Sequence, residues 1–86
     1  MDPDASSDAA VEIDARGLLC PLPVLRLRRR LVPLRPGALV RLLADDPAAI
    51  LDVPHFCAQS GHDLLDETPL PDGGNAYLVR RGPVTG

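Results

Sequence analysis

The chain has 86 residues, enough for one domain with a small core and little to spare. Its 45% hydrophobic and 24% charged content suits an ordinary globular domain. Two features exclude a general nucleic-acid binder: Phe56 and Tyr77 are too few aromatics for a base-stacking platform, and a formal charge of −3 opposes phosphate binding.

Residues 1–9 are rich in Asp, Ala and Ser, the composition of a disordered tail. No apolar run of signal-peptide or membrane-spanning length comes after it, so the expected setting is cytoplasmic, reducing and without a membrane partner. Residues 10–14, AVEID, alternate Val11 and Ile13 with acids, as a half-buried strand does. Gly17 then serves the turn, being the residue best able to take a positive φ. A helix is predicted over residues 21–32, with Pro21 and Pro23 in its first turn, where a missing N–H costs nothing. Val24, Leu27 and Leu31 share one face with Leu25 and Val32 beside them, and Arg26, Arg29 and Arg30 take the opposite face. Arg28 falls inside the apolar arc, which the simple pattern does not explain.

After the RPG turn, residues 38–44 (ALVRLLA) read as a central strand buried largely on both faces. Asp45 or Asp46 caps the second helical stretch, with Pro47 at a first helical position. Pro54 predicts a short turn over residues 47–51, then a restart capped by Asp52 that runs to Ser60 and ends at Gly61. Residues 62–68 and 75–81 read as strands joined by the proline- and glycine-rich PLPDGG connection. The fold class is therefore α/β, an α+β two-layer sandwich of βαβαββ order. One four-stranded mixed sheet carries both helices on one face. The domain spans residues 10–82, with residues 83–86 a frayed end.

Two cysteines in a reducing compartment are expected to be free thiols. Cys20 stands where the turn becomes a helix. Unpaired N–H groups and partial positive charge at a helix start favour an anion, so the thiol pKa is expected to fall and the thiolate to become a nucleophile. Gly17, Pro21 and Pro23 would support that presentation. Neither His55 nor His62 is near it in sequence, and no dedicated base is visible. The residues alone equally admit a buried cysteine at a strand–helix corner. Cys57, four residues after Val53, is expected to pack inside as a small hydrophobe. A metal site from His55, Cys57 and His62 is disfavoured, because His55 and Cys57 lie on different helix faces; no metal is expected. His62 more naturally opens a strand with its ring bonded to a carboxylate or backbone group.

The stretch DARGLLCPLPVL resembles the Cys-Pro-X-Pro signature of the TusA-like, or SirA-like, sulfur-carrier family. The likeness continues through RPG, LADDPAAILDVPHFC and GHDLL, covering nearly all of the chain after the tail. It implies the two-layer fold derived above and sulfur carried as a covalent persulfide on Cys20, without a further cofactor. It implies acceptance from a cysteine desulfurase or rhodanese-like donor. Delivery would be to an acceptor protein in tRNA thiolation, molybdenum cofactor maturation or sulfur oxidation. Such a protein is a sulfurtransferase-type carrier more than a turnover catalyst. Leu19 and Leu22 flank the cysteine where better-known carriers often have charged residues, and suit a partner with an apolar pocket. With Arg26, Arg29 and Arg30 they form the expected docking surface. Two other classes fit the residues: a thiol redox module closing a Cys20–Cys57 bridge, and a regulatory interaction domain in which Cys20 is incidental.

Overall fold

A computed structural model describes residues 10–83; the expected tail over residues 1–9 and most of the expected frayed end (84–86) lie outside the described residues. The elements run β1 (Val11–Asp14), α1 (Leu22–Leu31), β2 (Leu39–Ala44), α2 (Ala49–Ser60), β3 (Asp63–Pro69) and β4 (Asn75–Arg80). They form one sheet of order β1-β2-β4-β3. β1 and β2 are parallel, with Ile13 opposite Leu42, whereas β4 runs antiparallel to both of its neighbours.

The two-residue period of each strand sends Ile13, Val40, Leu42, Ala44, Tyr77 and Val79 to the helix side. There they meet Leu27 and Leu31 of α1 and Ala49, Val53 and Cys57 of α2, so both helices cover one face. The other face carries cross-strand ion pairs, Glu12–Arg41 at 2.7 Å and Asp63–Arg80 at 2.9 Å. Tyr77 is completely buried, and among the described residues its hydroxyl has no partner within full hydrogen-bond geometry, with the Asn75 side chain acting on it.

Three details differ from the sequence expectation. Helix α1 buries Pro23, Leu27 and Leu31, but leaves Leu25 and Val32 about half exposed or more, at 46% and 60%. The covered arc is narrower than the apolar pattern, because a thin two-layer domain gives α1 only the sheet and the edge of α2 to pack against. Arg28 consequently lies outside the core arc, on the exposed face with Leu25 and Val32. Second, α2 runs unbroken through Pro54. The carbonyl deprived of a partner by Pro54 belongs to Ile50, in the exposed first turn, where water can satisfy it. Third, Asp52 does not cap a restarted helix, and its side chain is left for other work.

The end of the sheet where β4 finishes is locked by side-chain bonds to backbone groups. Arg81, buried, donates from Nε to the Leu31 carbonyl at 2.9 Å and so closes the end of α1. His62 meets its sequence expectation by accepting the Gly82 N–H on Nδ1 at 2.9 Å; burial and the Arg81 charge push its pKa down. His55, by contrast, is exposed.

Candidate functional site

Parallel pairing of β1 and β2 delivers the loops after both strands to the same edge of the sheet. The Ala15 N–H donates to the Leu43 carbonyl at 2.8 Å, carrying the pairing one residue beyond β1. The chain after β1 therefore turns beside the chain after β2, and the Gly17–Cys20 turn comes to rest against Asp45, Asp46 and Asp52.

Each aspartate holds a different point. Asp45 Oδ1 accepts the Gly17 N–H at 2.9 Å, at a turn whose φ of 84° favours glycine. Asp46 Oδ2 accepts the Cys20 N–H at 2.6 Å, while its Oδ1 accepts the Ala48 N–H at 3.2 Å, joining the cysteine to the start of α2. Asp52 Oδ2 accepts the Cys20 thiol itself, with Sγ 3.0 Å away. On the far side, Gly74 lies so close to Ala44 and Asp45 that a Cβ there would collide with the Ala44 carbonyl and the Asp45 backbone. The β3–β4 connection thus backs Asp45.

The proline roles divide. Pro21 is exposed at the N-cap of α1, following a cis Cys20–Pro21 peptide, whereas Pro23 is buried and anchors the helix start in the core. Cys20 is exposed and Cys57 buried; both are free thiols.

The electrostatics correct one expectation. The Cys20 pKa is raised rather than lowered: the hydrogen bond to Asp52 contributes most, then desolvation, then the charges of Asp52 and Asp46. Cys20 precedes the N-cap residue of α1, and its thiol faces carboxylates. Asp52 is thus the hydrogen-bond acceptor at the sulfur. Its signal was present in the ADDPAAILD segment, but a capping role competed for it. Cys57 is pushed up to about 11, chiefly by burial.

The expected docking residues are all exposed, Leu19 at 70% and Leu22 at 48%. Leu18, Leu22, Leu25, Arg26 and Arg29 line a shallow groove of about 200 Å³. It adjoins a second, of about 410 Å³, between Leu25, Arg28, Arg29 and Val32. Arg30 is exposed but lines neither. No helix of the described residues is long and apolar enough to cross a membrane.

Comparison with known proteins places this architecture. Residues 11–81 match the family model described as Sulfurtransferase TusA. The chain is 38% identical over 72 residues to the sulfur carrier protein TusA of Pseudomonas fluorescens, covering 84% of this chain and 86% of that one. It is 42% identical over 69 residues to that of Pseudomonas paraeruginosa, covering 80% and 86%. The crystal structure of a SirA-like protein from Desulfitobacterium hafniense superposes with a TM-score of 0.75 at 25% identity, covering 84% of this chain and 97% of that one. With a family match spanning every strand and both helices, the chain belongs to the TusA family of sulfur carriers.

Proposed function

We propose that this protein carries sulfane sulfur as a persulfide on Cys20, taking it from a cysteine desulfurase or rhodanese-like donor and handing it to an acceptor protein. The observation that carries this reading is the placement of Cys20. It is the exposed one of the two thiols, held by backbone and carboxylate bonds at the sheet edge, in a chain of a sulfur-carrier family. A thiol that must visit donors and acceptors has to be accessible and positioned. No cofactor beyond the covalent sulfur enters the scheme.

Donor and acceptor would dock on the exposed side of α1, where Leu19 and Leu22 offer apolar contact and Arg26, Arg29 and Arg30 offer charge. None of these arginines has an acidic partner among the described residues. tRNA thiolation, molybdenum cofactor maturation and sulfur oxidation are the candidate destinations, each reached through a protein acceptor rather than by direct nucleic-acid contact. The test is mass spectrometry of the protein after incubation with a cysteine desulfurase and cysteine, without reductant. One added sulfur atom on the Cys20 peptide is the expected result. An unmodified Cys20 would refute it, and a Cys20–Cys57 disulfide would return the redox reading.

A further inference from the structure

Asp45 and Asp46 are committed to backbone N–H groups, but the Asp52 carboxylate has a single hydrogen-bond partner among the described residues, the Cys20 thiol. Asp52 sits in the first turn of α2. Its neighbour Val53 is completely buried and Cys57 nearly so, which holds that turn against the sheet and keeps the carboxylate in place. A general base must lie within hydrogen-bond reach of the proton it takes, and 3.0 Å from Sγ satisfies that.

We propose that Asp52 is a catalytic residue of sulfur uptake, receiving the Cys20 proton as Sγ attacks a donor persulfide. The inference rests on the reading of Cys20 as the sulfur-carrying residue. In the step, Cys20–SH and R–S–SH give Cys20–S–SH and R–SH. The Sγ electron pair forms a bond to the terminal sulfur, and the donor's S–S bond breaks with its pair leaving on the donor's inner sulfur. The proton passes from Sγ to Asp52 Oδ2 and then to that leaving sulfur. One thiol becomes a persulfide while one persulfide becomes a thiol, so no outside oxidant or reductant is required.

The charged groups acting on the sulfur are Asp52 from α2 and Asp46 from the β2–α2 turn, and both favour the protonated thiol. The same carboxylate thus has two opposite effects. It suppresses thiolate at rest, slowing adventitious reactions, and it supplies the proton's destination during transfer.

Removing it separates the two. In Asp52→Asn, iodoacetamide should alkylate Cys20 several-fold faster at pH 7, with the midpoint of its pH profile moved down. Sulfur uptake from glutathione persulfide should slow by about tenfold or more. Asp52→Glu, which restores the charge, should recover the high midpoint and part of the uptake rate. It also provides the decisive variant should Asp52→Asn fold poorly. Uptake that rises in parallel with alkylation would overturn the proposal, showing that Asp52 only suppresses the thiolate. Loss of both rates in folded protein would overturn it too, leaving Asp52 as a support of the loop, as would an unchanged midpoint. If the wild-type protein takes no sulfur, the carrier reading fails and the inference with it. The alkylation shift would then still report the hydrogen bond.

Discussion

The loop that carries Cys20 and the helix face that carries Cys57 both keep a thiol protonated, by different means. At Cys57 the cause is burial: the residue is 2% exposed, in the layer between α2 and the sheet, where a thiolate would lose its hydration. At Cys20 the sulfur is exposed and the principal cause is a neighbouring carboxylate. The difference matters for chemistry. Burial protects Cys57 in every folded molecule, and only opening the core would release it. The hold on Cys20 is one hydrogen bond at the surface, which a docking partner can reach and the reaction itself can use.

Four measurements put this contrast to the test. The largest effect is expected from Cys20→Ser, which should abolish sulfur acceptance while leaving the melting temperature nearly unchanged. The serine hydroxyl can still donate to Asp52, and its position at the surface demands no repacking. Label transfer from a desulfurase charged with radioactive cysteine reads this directly; undiminished label on the serine variant would move the function away from Cys20.

Cys57→Ser should behave oppositely. It places a hydroxyl in an apolar layer and should cost about 1–3 kcal/mol of stability, with sulfur transfer retained where both proteins are folded. Denaturant melts paired with transfer rates make the comparison. Full stability with lost transfer would identify Cys57 as a relay thiol.

The pH dependence of stability isolates the contribution of Cys57. Because the folded pKa of Cys57 is about 11 against an ordinary value of 9.0, its contribution is fully present below pH 9. It is lost as pH rises towards 11, when the unfolded chain ionises first. Cys57→Ala should therefore flatten the alkaline decline in stability between pH 9 and 11. A decline of the same slope in that variant would assign it to other groups.

The smallest effect on intrinsic chemistry is expected from Arg29→Glu combined with Arg30→Glu. Association with a cognate donor or acceptor should slow, and its rate should lose much of its salt dependence. Alkylation of Cys20 should change little, because its thiol is governed by Asp52 and Asp46. Stopped-flow association over a salt series tests this, and unchanged association at low salt would place docking on the apolar rim of Leu18, Leu19 and Leu22.

Element order, the hairpin that pairs β3 with β4, the cysteine's place before a helix and the buried character of Cys57 are legible in the chain itself. They depend on local chemistry: two-residue and 3.6-residue periods, prolines that permit only certain starts, and a small thiol four residues from Val53. The resemblance of the Cys-Pro-X-Pro stretch to the sulfur-carrier signature marks Cys20 from sequence as well. What the chain alone left undecided was non-local. Whether Leu25 and Val32 are covered depends on how much of α1 the sheet can reach. Whether Pro54 breaks α2 depends on whether water reaches the Ile50 carbonyl. Above all, the state of the Cys20 thiol depends on Asp46 and Asp52, lying 26 and 32 residues away. Only parallel pairing of β1 with β2 brings them to the sulfur. A helix start seen in isolation implies an acidic thiol, and two carboxylates delivered by the tertiary structure reverse the sign.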